Sequence, residues 1–165
     1  MARLHISPFL WFDTQAEEAA RFYVGIFPDS RVTEISRYPA AGQEVHGRPP
    51  GSVMTVAFEL GGQPYTALNG GPHVRFNEAV SFVVHCADQA EVDRYWDKLG
   101  AGGPVEAQQC GWLKDRFGLS WQVVPKMMMR LLTDPDEGRR TRVFTAMMQM
   151  KKLDIAAIEK AAEGP

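Results

Sequence analysis

The chain has 165 residues, of which 45% are hydrophobic and 23% are charged, and its formal net charge is −2. This balance is typical of a single globular domain and gives no electrostatic reason to expect nucleic acid or an anionic membrane as a partner. The two cysteines do not make a disulfide framework, and no apolar run approaches the roughly 20 residues that span a bilayer. Because the N-terminus also lacks a signal-peptide pattern, we expect a cytoplasmic location.

The first half of the sequence predicts a strand, a helix and three further strands. The first strand is expected at His5–Phe12, and Thr14 and Glu17 have the spacing of a capping box that would start the helix. A loop is expected over residues 39–51, and a turn at Gly61-Gly62. The three further strands are expected at Arg31–Tyr38, Val53–Leu60 and Tyr65–Leu68.

The second half repeats this order of elements. A strand is expected at Ala79–Cys86 and a helix from Asp88, followed by short strands at Val105–Gln109, Trp112–Arg116 and Leu119–Val124. When the two halves are aligned, a difference of 74 in residue number pairs Ser7 with Ser81. Nearer the end of each half, a difference of 56 pairs Tyr65 with Trp121. Such a repeat predicts an α+β fold made of two βαβββ modules.

The last part of the chain has helical patterns of its own. Asp134 is expected to cap one helix, with Pro135 in the first helical position. Asp154 is expected to cap another, and Leu153 and Ile158 have the spacing of a hydrophobic staple. We therefore expect a domain over residues 1–126, with modules at about 1–71 and 72–126, and a C-terminal helical extension over 127–165.

Five strings of the sequence together resemble the PhnB-like family of the vicinal oxygen chelate (glyoxalase/dioxygenase-like) superfamily. They are PFLWFD (8–13), ALNGGP (67–72), FNEA (76–79), CGWLKD (110–115) and WQVVP (121–125). The resemblance implies a glyoxalase-like fold, in which two βαβββ modules form a curved mixed sheet around a cavity. Superfamily modules also commonly pair across subunits. With the apolar stripe of Met147, Met148 and Met150, this predicts a homodimer in which the C-terminal helices contact the partner or wrap the sheet.

Enzymes of that superfamily typically hold a divalent metal with His and Glu residues on the first and fourth strands of each module, and the metal polarises oxygens of the substrate. The resemblance places these positions at Ser7, Thr66, Ser81 and Gln122. Four neutral side chains supply no charge to hold a cation, so we expect no metal and no cofactor. They are better suited to hydrogen-bonding a polar ligand directly.

Strand alternation and aromatic content suggest the rest of a small-molecule site. His5, Ser7 and Phe9 share one face of the first strand, and Ser81 and His85 share one face of the fifth. His5 and His85 are candidates for ligand contact or proton transfer; alternatively, they lie at the rim of the cavity. The aromatic residues either line the cavity or belong to the hydrophobic core. The predicted ligand-binding residues are Ser7, Phe9, Trp11, Thr66, Asn69, Ser81, His85, Trp112 and Gln122.

The sequence favours binding of a small organic ligand and leaves open whether a reaction is catalysed. The alternatives are a metal-dependent lyase, isomerase or dioxygenase, and the 3-demethylubiquinone-9 3-methyltransferase whose label the family often carries; sequestration of a ligand without reaction is a further possibility. No G-x-G-x-x-G loop follows a strand, so S-adenosylmethionine is not expected as a cofactor. Cys110 would need a neighbouring cation to become a reactive thiolate, and no catalytic residue is assigned.

Overall fold

The computed structural model describes residues 6–164, so His5 and the first part of the strand predicted at His5–Phe12 lie outside the described residues. The chain divides into two compact units, Met1–Phe76 and Asn77–Pro165. The strands are β1 Phe9–Phe12, β2 Arg31–Arg37, β3 Val53–Leu60, β4 Gln63–Asn69, β5 Ser81–Cys86, β6 Trp112–Lys114 and β7 Ser120–Pro125. The helices are α1 Ala16–Ile26, α2 Gln43–His46, α3 Gln89–Gly100, α4 Met127–Leu132, α5 Glu137–Met148 and α6 Ile155–Glu163.

The first unit is a four-stranded mixed sheet with α1 packed against it. The strand order is β1-β4-β3-β2, with β1 parallel to β4 and the other neighbours antiparallel. Alanines and Tyr23 form the buried face of α1, and the Tyr23 ring stacks on Phe58 of β3 with 6.2 Å between centroids. Small side chains on this face let the helix lie close to the sheet, so the aromatic pair occupies the centre of the core.

The start of α1 differs from the capping box predicted at Thr14 and Glu17. The residue before the helix is Gln15, and no side chain of the helix start accepts one of its free N–H groups. Instead, the N–H of Ala16 donates to Oδ1 of Asn69 at the end of β4, at 2.8 Å. The predicted capping box is wrong because a residue distant in sequence supplies the acceptor that a helix N-terminus needs.

The second unit contains a three-stranded mixed sheet with the order β5-β7-β6, in which β5 is parallel to β7. The strand predicted at Val105–Gln109 is wrong: Val105–Ala107 is a single turn of 3-10 helix. The N–H groups of Ala107 and Gln108 bond to carbonyls three residues back, at 3.2 Å each, so they are not available to a neighbouring strand.

The strand register agrees with the predicted repeat. Phe9 of β1 lies opposite Thr66 of β4, and Val83 of β5 lies opposite Gln122 of β7. An offset of 74 relates Phe9 to Val83, and an offset of 56 relates Thr66 to Gln122. The same pair of strands thus meets in the same register in both units, which confirms the two-module α+β architecture.

The helices after β7 enclose a hydrophobic cluster in the second unit. Its buried members are Met128, Leu131, Val143, Leu153, Ile158 and Ala162. Burial of both Leu153 and Ile158 agrees with the predicted staple, and the Asp154 carboxylate accepts the N–H of Ala157 at 2.9 Å, which confirms the predicted cap of α6. Across residues 6–164, no helix has the length and apolar composition needed to cross a membrane.

The cap of α5 lies two residues later than predicted. The carboxylate of Asp136 accepts the N–H of Arg139 at 3.1 Å and starts the helix. Asp134 instead accepts the N–H of Asp136 at 2.9 Å and forms an ion pair with Arg139. The prediction of Asp134 as cap is wrong because its side chain closes a local turn around Pro135, which leaves the capping position to the second aspartate.

The C-terminal segment is hydrogen-bonded to the sheet-forming part of the second unit. The N–H groups of Cys110 and Gly111 donate to the carbonyls of Met150 and Lys151, both at 2.8 Å. The Gln89 side chain donates to the carbonyl of Leu153 at 3.2 Å and accepts the N–H of Ile155 at 2.9 Å. Residues 127–164 are therefore an integral part of this unit.

Candidate functional site

A cavity of about 710 Å³ lies within the second unit. One face of the β5-β7-β6 sheet, the 3-10 turn, helices α4 and α5 and Leu153 provide its walls. Because side chains directly opposite each other on neighbouring strands share a face, the register orders this wall into rows. One row contains Ser81, Ser120 and Lys114.

The next row contains Val83, Gln122 and Trp112, all of which line the cavity. Beyond it, His85 and Val124 lie opposite each other and also line the cavity. The sequence had placed His85 on the same face as Ser81 by alternation, and the register agrees. The first row forms one end of this sheet wall, which we call the polar end, and His85 lies toward the other.

Three features define this polar end. Gln122 donates from Nε2 to Oγ of Ser81 at 2.9 Å. The Ser120 hydroxyl is buried and has no hydrogen-bond partner among the described residues. Lys114 forms an ion pair with Glu78, and its hydrogen bond holds the pKa of the Glu78 carboxyl below the usual value. The Lys114 side chain is only 25% exposed, whereas Glu78 is 66% exposed.

The part of the wall that the helices supply is apolar. Met128, Met129 and Leu132 of α4 and Met147 and Met148 of α5 line it. The thiol of Cys110 lies 3.6 Å from the sulfur of Met148. Methionine side chains are unbranched and polarisable, so such a wall adjusts to ligands of different outline.

A buried carboxylate holds the turn between β6 and β7 that positions the polar end. Oδ1 of Asp115 accepts the N–H groups of Phe117 and Leu119 at 2.8 and 3.1 Å, and Oδ2 accepts Nε1 of Trp121 at 2.8 Å. Asp115 is only 1% exposed. The turn therefore has a defined geometry, and it places Lys114 opposite Ser120.

The predicted ligand residues divide between the two units. In the second unit, His85, Trp112 and Gln122 line the cavity, and Ser81 hydrogen-bonds to Gln122. This unit therefore contains four of the predicted residues around a single cavity.

Ser7, Phe9, Trp11, Thr66 and Asn69 belong to the first unit. Ser7 and Phe9 are exposed and Thr66 is half-buried. Nε1 of Trp11 donates to the carbonyl of Gly71 at 2.8 Å, and a Cβ built on Gly70 would lie 2.2 Å from the Trp11 ring. Both polar groups of the Asn69 side chain are hydrogen-bonded within the unit: Oδ1 accepts the N–H of Ala16, and Nδ2 donates to the carbonyl of Val53 at 3.1 Å.

Sequence reasoning missed several cavity residues, among them Ser120 and Glu78. Ser120 could have been found by carrying the pairing of β5 and β7 across from Ser81, because the two lie directly opposite each other. Glu78 precedes β5 in a segment without regular structure, and no sequence pattern connects it to Lys114.

The positions that the sequence resemblance assigns to the superfamily's metal ligands carry side chains that do not suit a divalent cation. The two in the second unit, Ser81 and Gln122, are neutral and hydrogen-bonded to each other. Those in the first unit, Ser7 and Thr66, are also neutral. Within residues 6–164, no three His, Cys, Asp or Glu side chains converge as a metal-binding group. A hard cation needs anionic oxygen ligands or imidazoles, which this set of donors lacks.

Two related units, each with its first and last strands paired in parallel, agree with the two-module fold that the sequence resemblance implies. The family model described as 3-demethylubiquinone-9 3-methyltransferase matches residues 4–124, and the chain belongs to that family, which includes PhnB proteins. A search of curated proteins gives no significant match.

Solved structures agree with this placement. A PhnB protein from Bacillus cereus, whose own assignment as a 3-demethylubiquinone-9 3-methyltransferase is provisional, is 31% identical, with a TM-score of 0.64. The match covers 74% of this chain and 99% of that chain. Protein PA1353 from Pseudomonas aeruginosa is 21% identical, covering 75% of this chain and 98% of that one, with a TM-score of 0.57. The fosfomycin resistance protein FosX from Mesorhizobium loti is 15% identical over 74% of this chain and 91% of that one, with a TM-score of 0.51. The last two likenesses show the fold alone.

Proposed function

We propose that the protein binds a small organic molecule in the cavity of the second unit. The observation that supports this most directly is the composition of the walls: four methionines and three leucines line the cavity together with polar side chains, of which Lys114, Ser120 and Gln122 lie close together on β6 and β7. Its volume of about 710 Å³ lies within the range of small-molecule sites, roughly 300–1,000 Å³. Apolar walls provide affinity by desolvation, and the polar end orients the ligand.

The proposal predicts binding of N-phenyl-1-naphthylamine, a neutral dye that fluoresces in apolar surroundings. Val83 lines the cavity from an exposed position on β5, so Val83→Trp should fill space with little effect on folding. We expect this substitution to weaken dye binding about tenfold or more, as measured by fluorescence titration.

Val45→Trp is the matched control, because Val45 is exposed on α2 of the first unit and is not one of the residues that line the cavity. It should leave the dissociation constant unchanged. Equal dye binding by the two variants and the unsubstituted protein would contradict the proposal.

Methyl transfer is the second candidate function, since the family's description favours it. We expect S-adenosylmethionine to leave the melting temperature unchanged, because neither unit alternates strands and helices around a glycine-rich phosphate loop. Differential scanning fluorimetry over a range of concentrations tests this, since a ligand that binds the native state raises its stability. A saturable upward shift would favour the methyltransferase instead.

The metal-dependent lyase, isomerase or dioxygenase finds no support in the neutral side chains at the ligand positions. Consumption of a bound compound, followed by chromatography, would separate an enzyme from a protein that only sequesters its ligand. The cytoplasmic location stays a prediction from the sequence.

We further propose a homodimer formed through the C-terminal helices. Met147 and Met150 of the predicted stripe pack against the cluster of their own unit, but Phe144 and Met148 of α5 are 52% and 41% exposed. Light scattering at micromolar concentration should give twice the 18.4 kDa mass of one chain. Phe144→Glu should shift the mass toward the monomer, whereas Val45→Glu should not. A monomeric mass for the unsubstituted protein would refute the dimer.

A further inference from the structure

We infer that the polar end of the cavity is a subsite for a carboxylate, which binds by taking the place of Glu78 beside Lys114. This inference rests on the proposed function and specifies its ligand class: a molecule with an apolar body and one anionic oxygen group. The argument begins with the row formed by Ser81, Ser120 and Lys114.

Ser120 is the central residue of this row and carries an unpaired buried hydroxyl. A buried hydroxyl without a partner is costly, and native proteins rarely keep one unless a ligand or water satisfies it. Ser120 lines the cavity, so an atom placed there can accept its hydrogen. The polar end thus offers a donor that the protein itself does not use.

The neighbours of Ser120 are also donors. The Ser81 oxygen accepts a hydrogen bond from Gln122, which leaves its own hydrogen free to donate. Lys114 carries three N–H groups, and Glu78 is its only ion-pair partner among the described residues. A carboxylate, with two oxygens and about four acceptor positions, matches a row of two hydroxyls and an ammonium group.

The other charged or titratable groups lining the cavity are Glu78, Glu106, His85 and the free thiol of Cys110. Glu106 lies on the 3-10 turn, is exposed and forms no ion pair with any of residues 6–164. Glu78 neutralises Lys114 from a largely exposed position, so it can return to water when a ligand carboxylate arrives. An exposed ion pair of this kind is weak enough to be exchanged for a partner that also satisfies Ser120.

A matched pair of competitors tests the inference. Bound N-phenyl-1-naphthylamine is displaced with 1-naphthoate, an anion at pH 7, or with 1-naphthalenemethanol, its neutral counterpart. We expect naphthoate to bind more tightly than the alcohol. Lys114→Met should remove this preference, and Ser120→Ala should reduce it. The affinity for the alcohol should stay constant in both variants.

Glu78→Gln and Glu106→Gln remove the same charge from the cavity lining, but only the first leaves Lys114 without its partner. We expect Glu78→Gln to raise naphthoate affinity about threefold to fivefold and Glu106→Gln to raise it less than about twofold. Dye binding with no naphthoate preference, and none gained in Glu78→Gln, would overturn the carboxylate subsite and leave the proposed function standing. Absence of dye binding, or binding unaffected by Val83→Trp, would overturn both.

Discussion

Replacing Asp115 with alanine should lower the free energy of unfolding by about 4 kcal/mol. The substitution removes the acceptor for two backbone N–H groups and for Nε1 of Trp121, and all three donors lie in the turn and strand beside the cavity. In the alanine variant these N–H groups lose their hydrogen bonds to the carboxylate, and because the site is buried, water does not replace them. Urea unfolding, followed by circular dichroism, measures the loss.

Two variants make this measurement specific. Asp97→Ala removes an exposed carboxylate from α3 and should change stability by no more than about 0.5 kcal/mol. Asp115→Asn should have an intermediate effect, because an amide oxygen can still accept while the amide nitrogen cannot accept from Trp121. A loss below about 1 kcal/mol for Asp115→Ala would show that this carboxylate does not hold the turn.

Replacing Asn69 with alanine should lower the free energy of unfolding by about 3 kcal/mol. Its amide bridges two elements of the first unit, since it accepts the N–H of Ala16 at the start of α1 and donates to the carbonyl of Val53 on β3. Both partners would lose their hydrogen bonds at a side chain that is only 9% exposed. Thermal or urea unfolding of the purified variant gives the value.

This prediction also separates a structural role of Asn69 from the ligand contact predicted from the sequence. Asn77→Ala is the control, because Asn77 is exposed and bonds only locally, to the N–H of Ala79 at 3.0 Å. Folded Asn69→Ala protein should bind N-phenyl-1-naphthylamine as the unsubstituted protein does. Unchanged stability with weakened dye binding would instead assign Asn69 to a ligand site.

The fold was predictable because its signals are local and occur twice. Strand alternation and helical spacing are visible within a few residues, and the repeat related the two halves before any pairing was known. The cap at Asp154 followed from the same local rule, since its acceptor and the N–H of Ala157 are three residues apart. The start of α1 could not be predicted in this way, because Asn69 lies 53 residues after Ala16.

The candidate site was only partly predictable because it depends on which strands are neighbours. Trp112 and Lys114 are two residues apart on β6 and share one side of it, but Ser120 joins them only through the register of β7. The presence of an aromatic residue did not distinguish a cavity position from a structural one. Trp112 lines the cavity, whereas Trp11 packs over Gly70 and hydrogen-bonds to the carbonyl of Gly71. Composition alone cannot separate these two environments, since both require a large, partly apolar side chain.

The hydrogen bonds from Cys110 and Gly111 to Met150 and Lys151 also bear on the order in which the chain folds during its synthesis. During synthesis the chain emerges from the ribosome N-terminus first, at roughly 5–20 residues per second, and domains generally fold as units as they emerge. All contacts within the first unit are available once residue 76 is free. The second unit must wait for Leu153 and Ile158, because they complete its buried cluster. During that interval the face of its sheet that carries Val83 and Val124 is not yet covered by the helices that complete the cavity wall.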